Sequence, residues 1–175
     1  AMRRSKRSNP IWSTPQFLVT DSKGPKSELP AFDGAIQASS GMMSISGHPE
    51  SGPTRTGYFS VDMSTSLNAA FAISAALFRR HLTGEGQRVD VSMLDTAVVM
   101  QAAQMSNYLV TSTLPELMGN RSPTKSPTAN VFASSDGFVQ IVGLREAHVR
   151  DLFRLLGAAE LYEKFPEPAA RIAHT

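Results

Sequence analysis

The run Asp62-Met-Ser-Thr-Ser-Leu-Asn-Ala-Ala-Phe-Ala-Ile-Ser-Ala-Ala-Leu-Phe-Arg-Arg-His-Leu82 and its continuation, Thr83-Gly-Glu-Gly-Gln-Arg-Val-Asp-Val-Ser-Met-Leu-Asp95, decide the fold. The first part opens on Asp, Ser and Thr, is rich in alanine, ends on cations and stops at Thr83-Gly84. Together these signals spell a helix. Large polar side chains are nearly absent before Arg79, so the helix is predicted to be buried on most faces. Gly84-Glu-Gly86 then makes a tight turn into Gln87 to Met93, where Val89, Val91 and Met93 alternate with polar residues as in a half-buried strand. Leu94 to Val110 reads as a second helix, apolar and rich in methionine. Strands alternating with long helices make the fold class α/β.

Upstream, residues 1 to 30 are polar and punctuated by prolines, with Phe17-Leu18-Val19 as a short strand candidate. Ala31 to Met43 begins as a helical turn after Pro30 and runs into Ser39-Ser40-Gly41; Gly47 to Gly57, with Pro49, Gly52 and Pro53, is predicted loop. Downstream, Thr111 to Thr128 is a Pro/Ser/Thr loop and marks a boundary. Asn130 to Ser134 and Phe138 to Val142 flank Ser135-Asp136-Gly137, a hairpin signal. Glu146 to Leu156 and Ala158 to Phe165 read as two helices. The expected organisation is a basic tail and linker over 1–23, a large unit over 24–115 and the start of a smaller α/β unit over 116–175.

Composition narrows the function. The chain has 175 residues, 41% hydrophobic and 18% charged, which is globular and long enough to bury a core unaided. It has no cysteine, which removes disulfides, thiolate metal sites and a cysteine nucleophile and suits a reducing, cytoplasmic setting. The longest mostly apolar run, Leu67 to Phe78, is 12 residues, too short for a membrane span. The net charge of +2 comes from the tail: Arg3, Arg4, Lys6 and Arg7 precede any acid, leaving 13 of the 17 cations against all 15 acids. No basic face and no nucleic-acid partner are expected. Ala1-Met2 reads as a scar of tag removal, and no signal-peptide pattern follows. His48, His81, His148 and His174 lack ligand spacing, so no metal is expected. Gly84-Glu-Gly86 leads into a strand, which makes it a turn rather than a phosphate cradle. Ser122-Pro-Thr-Lys125 has the spacing of a serine–lysine acyl-enzyme motif, but Pro123 and Pro127 predict loop.

Asp62 admits two readings. It can be the N-cap of the long helix. It can also be a nucleophile: a helix N-terminus carries roughly half a positive charge, which favours an anion there. Such a carboxylate can attack an acyl carbon while neighbouring backbone N–H groups hold the oxyanion. Position alone leaves both open.

The surrounding residues form a pattern: Phe32-Asp33 with Gln37-Ala38 and Gly41; Gly47-His-Pro with Pro53 and Gly57, leading to Asp62; Ala75-Ala-Leu77; and the run Thr83 to Asp95. Gly119-Asn120, Asp136-Gly-Phe-Val139, Gly157 and Arg171-Ile-Ala-His174 continue it. This pattern resembles CoA-transferase family III, which includes formyl-CoA transferase, carnitine CoA-transferase and α-methylacyl-CoA racemase, over about residues 24 to 174. The resemblance implies part of a Rossmann-like large domain followed by the start of a small α/β domain. It also implies an acyl-CoA:carboxylate CoA-transferase with Asp62 as nucleophile, working through an aspartyl-CoA thioester. Coenzyme A is the carrier, an acyl-CoA and a carboxylic acid are the partners, and no metal is needed. Asp33, Gln37 and Gly57 are implied to shape the CoA site, and the chain is expected to form a homodimer.

Several positions depart from that pattern. Phe32 stands where the racemase branch has histidine, which favours transferase over racemase because a racemase needs both an acid and a base at the α-carbon. Ser66 replaces a usual glycine one turn past the nucleophile, and Asn120 to Thr128 lacks the glycine-rich flap of formyl-CoA transferases. Family members are much longer, so a middle portion is expected, binding CoA at about millimolar affinity and inactive alone. The alternatives are a racemase-like enzyme and a non-catalytic, truncated dimerisation module.

Overall fold

The computed structural model describes residues 16–18 and 29–174. The basic tail, Val19 and Gly24-Pro25 lie outside the described residues. In chain order the elements are β1 (Gln16–Leu18), α1 (Asp33–Ser39), β2 (Gly47–His48), β3 (Gly52–Pro53), α2 (Ser60–Thr83), β4 (Asp90–Ser92), α3 (Met93–Met100) and α4 (Ala102–Thr111). They continue with the strands β5 (Ala129–Ser134) and β6 (Gly137–Val142) and the helices α5 (Glu146–Leu155), α6 (Ala159–Lys164) and α7 (Pro168–Ala173). The fold is α/β. The chain divides into two compact units: one holds the described residues up to Ser46 with Pro53–Glu116, the other Gly47–Gly52 with Leu117 onward.

In the first unit, β1 pairs in parallel with β4, Phe17 opposite Val91. The core is small: Ile36, Met42, Val61, Met93 and Ala97 are buried together, with Ala31 and Leu94 against them. Helix α2 ends as its sequence predicts, on Gly84 at φ +74°, whose N–H reaches the Arg80 carbonyl at 2.8 Å. Its predicted burial is overturned. Only Ser60, Val61, Thr65 and Ala69 are buried on it, a stripe one side chain wide. Leu67, Phe71 and Phe78 are 70, 75 and 65% exposed. An apolar composition makes burial favourable but does not supply the surface that covers the helix. The length argument is corrected as well. Polar residues at its start join the helix, so α2 reaches 24 residues and is long and apolar enough to cross a membrane by length and composition.

The strand read as Gln87 to Met93 begins only at Asp90 and the helix read from Asp62 begins at Ser60; two further differences have a local reason. The strand stops at Ser92 instead of Met93 because the Ser92 hydroxyl accepts the Asp95 N–H at 3.1 Å and caps α3. The predicted single helix over 94–110 breaks at Gln101. Its buried side chain donates to the Ala97 carbonyl at 3.0 Å and to the Ser40 carbonyl at 3.1 Å. The backbone N–H of Gln101 turns instead to the Val98 carbonyl at 3.0 Å. The side chain thus stands in for the backbone donor and ties the helix to the end of α1. The stretch from Gly47 to Gly57, read as loop, contains the paired β2 and β3.

In the second unit, β5 and β6 form an antiparallel hairpin with Ser134 opposite Gly137 and a Ser135-Asp136 turn between them. Ser122-Pro-Thr-Lys125 is non-helical, as its prolines predict. Gly119 at φ +60° donates its N–H to the Gly47 carbonyl at 2.8 Å. A Cβ there would lie 2.8 Å from the His48 Cε1 and closer still to Nδ1. The glycine is required twice, by backbone conformation and by the ring against it. Helix α7 starts with Pro168 in its first turn. From it the buried Arg171 donates to the Phe165 and Pro166 carbonyls at 2.9 and 2.6 Å and pairs with Glu146 on α5.

Candidate active site

Residues from α1, the 53–59 loop and the first turn of α2 meet within the first unit. Helix α1 starts with Asp33, but this side chain does not serve its own helix. The Asp33 carboxylate is buried, and its Oδ2 accepts the backbone N–H groups of Val61 at 2.8 Å and Asp62 at 3.2 Å. One turn along α1, Gln37 donates from Nε2 to Asp33 Oδ1 at 2.5 Å. The Oε1 of the same amide accepts the Thr56 N–H at 3.0 Å. Thr56 then donates its hydroxyl to the Tyr58 carbonyl at 2.9 Å and lies 3.0 Å from the Ser60 hydroxyl. This relay fixes the approach to α2 and the first turn of α2 against α1.

Asp62 is the third residue of α2, and the N-cap position is Phe59, which makes no side-chain cap. Asp62 is exposed, and among the described residues its carboxylate has no hydrogen-bond or ion-pair partner. The N-cap reading therefore fails: the capping is done by Asp33, from another helix. Asp62 keeps its charge uncommitted at the positive end of a 24-residue helix.

The expected oxyanion donors need correction. Ser60 N–H donates to Tyr58, Met63 N–H to Phe59, and the two between them to Asp33. All four leading N–H groups of α2 are committed. Among the described residues the N–H groups of Gly57, Tyr58 and Phe59 have no partner. Gly57 is exposed, with nothing within 4 Å of where its Cβ would stand, so packing gives no reason for glycine there.

The structure thus brings Asp33, Gln37 and the segment around Gly57 to the start of α2, where Asp62 lies. Asp33 and Gln37 are 4 and 1% exposed and face the backbone. Ser66 is exposed one turn further along α2. Thr56 and Ser60 were not singled out from the sequence, because their partners lie on another helix or across a turn. Among the described residues no group of His, Asp and Glu is arranged to hold a metal.

A profile of CoA-transferase family III matches residues 20–175. The chain belongs to this family. It is 33% identical over 153 residues to succinate–glutarate CoA-transferase of Agrobacterium fabrum, covering 86% of this chain and 38% of that protein. It is 33% identical over 145 residues to succinyl-CoA:mesaconate CoA-transferase of Haloarcula marismortui, covering 83% and 36%. Among solved structures, a CAIB/BAIF family protein from Brucella suis superimposes with a TM-score of 0.77 at 32% identity, over 90% of this chain and 42% of that one. The chain thus spans about two fifths of the length of these family III relatives.

Proposed function

We propose that this chain carries the nucleophile of an acyl-CoA:carboxylate CoA-transferase, and that Asp62 is that nucleophile. One observation carries the reading. In a family III chain, Asp62 presents an exposed, unpartnered carboxylate at a helix N-terminus whose capping is done by Asp33.

The Asp62 carboxylate attacks the thioester carbonyl of the acyl-CoA, CoA leaves as thiolate, and a mixed anhydride remains. The thiolate attacks the aspartyl carbonyl and expels the donor acid, leaving an aspartyl-CoA thioester. The acceptor carboxylate attacks that thioester, giving a second anhydride and free thiolate. Attack of the thiolate on the acceptor's acyl carbon forms the new acyl-CoA and regenerates Asp62. Each step exchanges one activated acyl bond for another, so ATP has no part in the balance. Oxyanions formed beside Asp62 are held by the unpartnered N–H groups of the 57–59 segment. Asp33 and Gln37 act as positioning residues that keep the carbonyl-facing turn in place. The CoA arm runs over the open Gly57, where no side chain intervenes. The exposed apolar side of α2, with Leu67, Phe71 and Phe78, is a protein contact surface covered in a cytoplasmic homodimer.

The test uses the complete gene product with succinyl-CoA as donor and glutarate as acceptor. Hydroxylamine added during turnover should leave a hydroxamate on Asp62, located by peptide mass spectrometry, and Asp62→Ala should abolish transfer while the protein stays folded. Turnover at the wild-type rate by Asp62→Ala, or an adduct on Asp33 or Asp95 instead, would refute the assignment.

A further inference from the structure

Between Lys26 and Arg79 the chain has a single lysine or arginine, Arg55. That interval contains α1, the 53–59 loop and the catalytic turn of α2, so Arg55 is the sole Lys or Arg that these elements bring to the start of α2. Two observations bear on its position. Its neighbour Thr56 is fixed through the backbone to the buried Gln37 amide at 3.0 Å. Its aliphatic stem lies across Gly34 on α1, where a Cβ would come within 3.3 Å of the Arg55 Cδ and 3.8 Å of its Nη1. Gly34 adjoins Asp33, the residue that holds the Asp62 N–H. A side chain at 34 would therefore press on the arginine stem.

The guanidinium itself is uncommitted. Arg55 is exposed and, among the described residues, has no hydrogen-bond or ion-pair partner, with neither Asp33 nor Asp62 within 4 Å. An arginine anchored by stem and backbone, with its planar donor fork open, is built to receive an anion of matching geometry. Carboxylates suit that fork with two parallel hydrogen bonds.

We propose that Arg55 recognises the second carboxylate of a dicarboxylic acid substrate, the one that does not react at Asp62. The proposal rests on the CoA-transfer reading. In such a substrate one carboxylate must reach the aspartyl carbonyl while the other stays ionised, and a guanidinium suits that second carboxylate with two parallel hydrogen bonds. A cation on the loop that leads into α2, not paired with Asp62, meets that need. A guanidinium paired with Asp62 would be blocked and would also quench the nucleophile. The curated relatives named above act on succinate, glutarate and mesaconate, all dicarboxylates. A second source of the anion is a phosphate of CoA, and the experiment separates the two.

The complete gene product is assayed with glutarate and with pentanoate, acids of equal chain length that differ in the second carboxylate. Arg55→Met keeps the stem on Gly34 and removes the charge. It should raise KM for glutarate tenfold or more while changing kcat less than threefold, and leave KM for pentanoate within threefold. Arg55→Lys should fall between. Independently of turnover, glutarate should protect Arg55 from phenylglyoxal, read by mass spectrometry, whereas pentanoate and free CoA should not. Equal effects of Arg55→Met on both acids, no effect on either, or protection by CoA rather than glutarate would overturn the proposal. Absence of transfer by wild-type protein to either acid would instead refute the CoA-transfer reading, and the protection pattern would still decide the role of Arg55.

Discussion

Replacing Asp33 by asparagine tests the relay beneath Asp62 with a change of one atom. In the native arrangement every contact of the Asp33 carboxylate is an accepting one: Val61 and Asp62 N–H at 2.8 and 3.2 Å, and Gln37 Nε2 at 2.5 Å. An asparagine offers one acceptor and one donor. If its oxygen faces α2, its NH2 meets the Gln37 NH2. Turning over the Gln37 amide relieves that clash but sets its NH2 against the Thr56 N–H. One mismatch survives in any arrangement, in a region where Val61 is fully buried. An unsatisfied buried donor costs about 1–3 kcal/mol, and loss of the charge at the helix terminus adds about 0.5–1 kcal/mol. Asp33→Asn should therefore destabilise the first unit by about 2–4 kcal/mol. The pair Asp33→Asn with Gln37→Glu reverses the polarity of the relay. The introduced amide then donates to the introduced carboxylate, which also accepts the Thr56 N–H, while the amide oxygen accepts from α2. About 1–2 kcal/mol should return. Urea unfolding followed by circular dichroism gives the stabilities, and amide exchange at Val61 reports the turn itself. A single variant within about 0.5 kcal/mol of wild type, or a double variant no better than the single one, would show that the relay does not hold the helix start.

Two further outcomes follow from close contacts. Gly119→Ala places a Cβ 2.8 Å or less from the His48 ring at φ +60°, which should cost about 2–4 kcal/mol in thermal or urea melts; adding His48→Ala should recover the steric part and leave the backbone part. Gln101→Leu removes the donors to the Ala97 and Ser40 carbonyls and should destabilise by about 1–3 kcal/mol, while Gln101→Glu should be no better, since a carboxylate cannot donate to either.

The parts of the fold that short-range signals encode were legible in the sequence. The Ser135-Asp136-Gly137 turn between alternating segments gave the hairpin, and Thr83-Gly84 gave the end of α2, because turn and cap chemistry are local. The capping of α3 was equally local: Ser92 stands three residues before Asp95, and the alternation of Val89, Val91 and Met93 masked it. The break at Gln101 was not legible, because one of its two partners is a carbonyl 61 positions away. The sequence also could not say which faces of α2 would be covered, since composition fixes the need for burial and not the partner. For the candidate site, the family pattern singled out Asp62, Asp33, Gln37 and Gly57. It did not reveal that Asp33 caps α2 or that the leading N–H groups of α2 are committed. The capping depends on contacts 28 and 29 residues apart in the chain.

The cap that Asp33 gives to α2 also orders events as the chain folds. Many helices carry their own start signal in the side chain at the N-cap. Here the start signal lies in a different helix, so the first turn of α2 gains its two N–H partners only once α1 has docked. The backbone that carries Asp62 is held once Asp33 accepts the Val61 and Asp62 N–H groups. The side chain that joins α1 to α2, Asp33, thereby also completes the turn that carries Asp62.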